Sequence, residues 1–425
     1  MDLVIRNGIS DTTGKPIEVG ISKEKIVAVA ESGLPQGVEE IDAQGGMVSP
    51  AFLEPHFHLE NALIWGEELN HSGTLHEAIF LYAQIKPALS VEDIVKRASR
   101  ALQMSIGFGT QWMRSHVDID QVGKLQLLAG QVAVREKFKD FIDIQLIAFP
   151  QLGLVRNPEA VDLMWQAMEN GADVVGGMPH GERDMEDAAR HIEIAFEIAD
   201  KYNADIDMHI DETDNPYWTS LELLADKTIE MGWQGRVSAG HCCSMSAWDE
   251  ATFTRILDKV RKADLQIITN SPVNLLLQGR ADPQPKRRGI PRVSELIEAG
   301  VTVSCGQDDL QNMFYPFGSM DMLEVAMIVA HAAHLSSPAQ IQAAFDMPRY
   351  SAAHGRRLPN YGVKVGADAN LVIIDATSAI EALRRQPDRR YVIRKGRVLV
   401  ETKTTQTWHK CADKMETCNG LEWNG

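Results

Sequence analysis

Two histidines one residue apart, His56 and His58, close an apolar run that rises from Gly46 through Phe52. In a strand, side chains two positions apart share a face, so both imidazoles can grip one cation. An HxH pair alone is a weak signal, and its place at the end of an apolar run strengthens it. His209 stands in Met208-His209-Ile210-Asp211-Glu212, His241 closes Ser238-Ala239-Gly240-His241, and Asp308 and Asp309 follow Val303-Ser304-Cys305-Gly306-Gln307. Imidazole and carboxylate donors suit Zn²⁺ or Fe²⁺ rather than Ca²⁺. Each group also has a plain structural reading. His241 can be a hydrogen-bonded core histidine, Glu212 an exposed acid after a strand, the Asp pair a cap for the next segment, and Cys242 and Cys243 buried apolar thiols. Glu212 adds a condition. Three residues past His209 it falls on the opposite face of a regular strand, and it reaches the same pocket only if the strand ends and the chain turns first. What favours chemistry is the coincidence of histidines at three strand ends with a carboxylate at a fourth.

Such groups meet only if the strands that end in them surround one axis. Compact apolar runs occur at 47–58, 110–117, 143–151, 173–179, 205–212, 236–241, 266–270 and 302–307. Between them lie stretches of helical spacing, such as 187–202, where Ala188, Ile192, Ala195, Phe196 and Ala199 recur three and four residues apart. Buried strands alternating with helices predict an α/β fold, a (β/α)8 barrel of the TIM type with its site at the C-terminal strand ends. A doubly wound open sheet has the same rhythm, and the polar groups gathered at strand ends favour the barrel. Short apolar runs bounded by Gly, Asn and Ser at 3–5, 17–21, 25–29, 370–375 and 391–400 predict a small β-sandwich domain formed by the N- and C-terminal segments. The expected division is residues 1–49 and 363–425 for that domain and a tail, and 50–362 for the metal-dependent barrel.

The composition narrows the partners. A formal charge of −17 argues against nucleic acid, whose binding draws on lysine and arginine, and the one dense basic run, Lys286-Arg287-Arg288, reads as a solvated loop. No stretch approaches the roughly 20 apolar residues of a membrane span. The opening MDLVIRNG has no apolar block typical of a secretion signal. Five cysteines with no CxxC pair suit a reduced setting, so a cytoplasmic location is expected.

Longer motifs run from Asp2 to about Val400: Glu54-Pro55-His56-Phe57-His58-Leu59, Ser72-Gly73-Thr74-Leu75, Arg114-Ser115-His116-Val117-Asp118, Ala148-Phe149-Pro150-Gln151, Pro272-Val273-Asn274, Leu277-Gln278-Gly279-Arg280 and Asp308-Asp309 with Tyr315-Pro316. In this order they resemble the amidohydrolase superfamily and, within it, the cytosine deaminases. The resemblance implies one divalent metal ion, Fe²⁺ or Zn²⁺, held by His56, His58, His209 and Asp308. It implies Glu212 as proton shuttle, His241 as hydrogen-bond partner of the attacking water species, Gln151 as reader of the ring's amide edge, and Asp309 as a shaper of the site. It further implies a small heterocyclic substrate and a homo-oligomer. Two-metal relatives use a carboxylated lysine on the fourth strand; 173–179 contains none, which supports a single ion. The chain departs from the cytosine deaminase pattern at Gln307, at Phe314 and at Glu60, all expected where the ring packs. The implied reaction is hydrolytic deamination of cytosine or a substituted cytosine. A related group that removes amines from s-triazines, typified by N-isopropylammelide isopropylaminohydrolase, is the alternative, together with isocytosine or a creatinine-like ring.

Overall fold

The computed structural model describes residues 1–66, 68–405 and 407. Eight parallel strands follow one another around the barrel: β1 (Phe52–Phe57), β2 (Thr110–Asp118), β3 (Asp143–Phe149), β4 (Val174–Val175), β5 (Asp205–Ile210), β6 (Val237–His241), β7 (Gln266–Thr269) and β8 (Val303–Cys305). Each is hydrogen-bonded to the next in sequence, with helices in the connections. The first and last strands meet through a parallel bridge between Phe57 and Asp308. There the Asp308 N–H donates to the His56 carbonyl at 3.0 Å and the His58 N–H to the Asp308 carbonyl at 3.1 Å. The α/β barrel expected from the sequence is therefore the fold.

The apolar run at 47–58 divides in two. Met47–Pro50 joins a separate sheet, whereas Phe52–Phe57 enters the barrel. The switch takes one residue: the Ala51 N–H bonds to the Asn370 carbonyl, and the Phe52 N–H to the Gly109 carbonyl. Pro50 has no N–H to keep it in the first sheet's ladder, which lets the chain leave there. The separate sheet has eight strands and is built wholly from the terminal segments, ordered Arg397–Glu401, Arg389–Arg394, Leu371–Ile374, Met47–Pro50, Leu3–Ser10, Pro16–Ser22 and Lys25–Ala30, with Glu39–Asp42 also on Leu3–Ser10. Alternation along Leu371–Ile374 joins the two units. Leu371 and Ile373 face the small domain's core, whereas Val372 and Ile374 pack into the barrel's. Of the expected C-terminal tail, residues 408–425 lie outside the described residues.

The fourth strand is much shorter than the run at 173–179. Gly176 and Gly177 end it at close approaches, since a Cβ at Gly176 would lie 2.7 Å from the Ala148 carbonyl and one at Gly177 2.9 Å from His191 Nε2. The chain then turns outward through Met178, whose N–H donates to that imidazole at 3.1 Å. Among the described residues no helix is long and apolar enough to cross a membrane. Cys242, Cys243 and Cys305 are buried free thiols, and burial pushes each of them well above the usual thiol range.

Candidate active site

The seam that closes the barrel gathers the chemistry. Because His56, His58 and Asp308 carry the backbone bonds between β1 and β8, their side chains are brought together by closure itself. His56 Nε2 and His58 Nε2 each lie 3.4 Å from Asp308 Oδ1. They lie 3.3 and 3.2 Å from His209 Nε2 at the end of β5. Four donors bound at 2.0–2.1 Å around one tetrahedral ion are about 3.3 Å apart, so these separations fit a single divalent cation. Room for this comes from Gly240 and Gly306, where a Cβ would lie 2.8 and 2.9 Å from atoms of His56.

His241 belongs to the same cluster, since ligand atoms of His56, His209, His241 and Asp308 all lie within 4.8 Å of one another. Its Nδ1 is 3.9 Å from Asp308 Oδ2 and 3.2 Å from Glu212 Oε1. A second group of potential ligands, His56, His116 and Asp207, lies deeper in the barrel. Arg114 and Arg356 already contact Asp207 at 3.0 and 3.1 Å, so a cation there would face two guanidiniums.

The condition on Glu212 is met by one backbone angle. β5 ends at Ile210, and Asp211 adopts a left-handed φ of +48°. This reverses the alternation and turns Glu212 into the pocket instead of behind it. Asp211 is held in that conformation by its own carboxylate, which accepts the Ser220 and Leu221 N–H groups at 3.0 Å each. His241 and Asp308 are left-handed as well, at +68° and +70°. Such conformations cost a non-glycine residue about 1–2 kcal/mol each, and here they occur at three of the strand ends that build the site.

These groups floor a cavity. Its walls include Gln151, Asp309, Phe314, Phe149, Met178 and Asn61. Gln151 follows β3, and its Oε1 is buried without a hydrogen-bond partner, a free acceptor facing the cavity. Asn312 Nδ2 fixes Asp309 at 2.6 Å, and Phe314 packs edge-on against Tyr82. Gln307 and Glu60 are placed otherwise than expected, since neither lines the cavity. The Gln307 N–H is bound to Glu54 behind β1, and Glu60 accepts from Gln131 at 2.5 Å. Gln307 has the opposite parity to Asp308, whereas Glu60 lies past the end of β1 with its carboxylate taken by Gln131 and the Asp118 N–H. This leaves Phe314 as the departure that forms the wall.

A sequence profile of the Amidohydrolase family matches residues 126–401. The chain belongs to that family. Among its relatives is the N-isopropylammelide isopropyl amidohydrolase of Pseudomonas sp. (strain ADP), 26% identical over 94% of this chain and 97% of the relative. Another is the pterin deaminase of Rhizobium rhizogenes, 30% identical over 90% and 89%. The crystal structure of 5-methylcytosine deaminase from Klebsiella pneumoniae with phosphonocytosine superposes with a TM-score of 0.92 at 34% identity, covering 96% of this chain and all of that one.

Electrostatics separates the two central carboxyls of this amidohydrolase. Burial opposes the charge on Asp308, yet the imidazoles of His241, His56 and His58 outweigh it and hold the carboxyl well below its usual range. Burial, reinforced by the charges of Asp308 and Asp309, pushes Glu212 well above its own. Burial and the Asp308 charge raise Asp309 to about 7. Burial and the neighbouring imidazoles hold His209 well below 6.5, so it is neutral and ready to ligate. One carboxyl favoured as the anion thus stands beside one favoured as the neutral acid.

Several residues of the amidohydrolase site were not assigned roles from the sequence. Asn274 donates to Glu212 Oε1 at 3.1 Å and lies 3.1 Å from His241 Nδ1, locking the two together. Asn270 Nδ2 meets His241 Nε2 at 3.2 Å. The two carboxamides stand four residues apart at the start of a short helix, a spacing that puts them on one face. His116 Nε2 lies 3.1 Å from His56 Nδ1, and its signal was polar alternation with Arg114 and Asp118 along a fully buried strand.

Proposed function

We propose that this amidohydrolase removes an exocyclic amino group from a small nitrogen heterocycle by hydrolysis, with cytosine or a substituted cytosine as the preferred ring. The observation that carries the reading is the buried acid Glu212 set beside the His56–His58–His209–Asp308 cluster, at the floor of a cavity walled by the free Gln151 acceptor. In this reading His56, His58, His209 and Asp308 hold one Fe²⁺ or Zn²⁺ ion. Such an ion, when bound, supplies Lewis acidity that lowers the pKa of water toward about 7.

The rest is the work of the chain. Gln151, with one donor and one acceptor, orients the C=O/N–H edge of the ring. Glu212 protonates the ring nitrogen beside the amino-bearing carbon, making that carbon electrophilic. Asp308 and His241 orient the attacking water and take up its proton. That proton passes by way of His241 to Glu212, which delivers it to the departing amine and then regains its own from the hydroxyl left on the ring carbon as C=O forms. One water is consumed, the C–N bond is replaced by C=O, and ammonia leaves. Similarity to 5-methylcytosine deaminase across the whole chain supports a cytosine-type ring.

A second reading, release of an amine from an s-triazine such as N-isopropylammelide, is supported by the isopropyl amidohydrolase relative. A vestibule outside the cavity has room for an N-alkyl group. Ammonia or amine release from cytosine, 5-methylcytosine, isocytosine and N-isopropylammelide, assayed with Fe²⁺- and Zn²⁺-loaded protein, tests both. Cytosine or 5-methylcytosine is expected to give the highest kcat/KM, and release from none of them overturns the proposal. Gln151→Ala is expected to lower kcat/KM by about tenfold, mostly through KM, because it removes hydrogen bonds made to the bound ring. An unchanged KM in that variant removes Gln151 from ring recognition.

A further inference from the structure

The segment that follows β4 contributes a side chain that nothing above uses. His180 is 9% exposed, and neither of its ring nitrogens has a hydrogen-bond partner within 3.5 Å. Buried unpaired polar groups cost roughly 1–3 kcal/mol and persist where a ligand or water completes them. His180 lines a vestibule of about 1700 Å³ that opens to solvent and shares Gln151, Met178 and Glu212 with the inner cavity or its rim. A ring seated on the floor therefore has His180 on its outward side and not at the reacting carbon. Burial and the nearby His191 lower its imidazole to about 3, the His209 backbone offsetting this only slightly. The ring is accordingly neutral, with one donor and one acceptor to offer. Its backbone is held firmly. Glu182, two residues on, accepts the Leu154, Val155 and Arg156 N–H groups at 2.7 to 3.0 Å, and His191 Nδ1 at 2.7 Å. The loop carrying Gln151 and the segment carrying His180 are thus clamped into one wall.

We propose that His180 determines substrate choice by hydrogen-bonding a polar group that lies beyond the six-membered reacting ring, either in a fused second ring or on a ring substituent. The inference rests on the deaminase reading and adds to it the class of ring selected. A bare six-membered ring held at Gln151 and Glu212 then leaves His180 unsatisfied, whereas an extended one satisfies it.

Two matched pairs test this. Isocytosine and pterin share a 2-amino-4-oxopyrimidine and differ by a fused ring bearing nitrogens. Cytosine and 5-hydroxymethylcytosine differ by a hydroxyl-bearing substituent. In His180→Phe the ratio of kcat/KM, extended over bare, is expected to fall about tenfold in at least one pair, the effect of losing a hydrogen bond to the substrate. The pair affected identifies fused ring or substituent. The thermal midpoint is expected to stay at or above the parent's, since a phenyl group has no unpaired nitrogen to bury. Both ratios unchanged, including a uniform loss on all four compounds, overturns the proposal. If the parent releases ammonia from none of the four, the same ratios are taken from equilibrium Kd values, and the deaminase reading itself falls only if 5-methylcytosine and N-isopropylammelide are inert as well. A tenfold fall there sustains the His180 contact, while unchanged ratios or binding of none overturns it.

Discussion

Glu212→Gln is expected to retain its metal and lose turnover by about 10² to 10⁴-fold, the range of a single general acid–base group. The substitution changes one atom of the side chain and leaves its shape, so Asn274 and His241 still find a partner at 3.1 and 3.2 Å. It removes the titrating proton, whose retention is favoured first by burial and then by the Asp308 and Asp309 charges. A glutamine can still lie against the ring, so KM should change little while kcat collapses. Metal content per chain measured beside ammonia release separates the two effects. Normal turnover with full metal excludes Glu212 as the proton carrier.

Asp308→Ala is expected to lose both metal and activity. Asp308 Oδ1 is the only carboxylate oxygen within 3.4 Å of His56 Nε2 and His58 Nε2 among the described contacts. Without it three imidazoles remain, with no negative charge to offset the ion. Changes to groups that merely support a ligand commonly cost 10- to 100-fold in affinity, so loss of a direct ligand should cost at least about 100-fold. The seam bonds of Asp308 are made by its backbone and survive the substitution. Alanine is less at ease than aspartate at a φ of +70°, which adds about 1 kcal/mol of destabilisation without unfolding the barrel. Circular dichroism checks the fold and elemental analysis the ion. Retention of one metal per chain contradicts the ligand assignment.

The two experiments fail in different ways. If Asp308→Ala keeps its ion but Glu212→Gln is inactive, the cage is misassigned and the acid is not. If Asp308→Ala loses its ion and Glu212→Gln is fully active, the cage stands and proton delivery must be sought among other groups facing the cavity, Asp309 first, since it titrates near neutrality.

Sequence alone determined that apolar strands alternate with helices and that imidazoles and carboxylates stand at the ends of particular strands. Both follow from local periodicity, because a buried parallel strand must be apolar throughout and a site at its end must not be. The shared face of His56 and His58 was legible for the same reason. Tertiary structure decided the rest. Local pattern continued the run at 47–58 without a break, and only pairing with Leu371–Ile374 assigned Met47–Pro50 to the other sheet. The direction of Glu212 hung on the left-handed turn at Asp211, which is held by contacts with Ser220 and Leu221 nine and ten residues away. Gln307 and Phe314 stood on equal terms in the sequence until the closed barrel turned one behind the wall and made the other part of it. Periodicity reports which face a side chain takes within its own element. Which faces meet, and where the chain leaves its regular geometry, depends on groups far away along the chain.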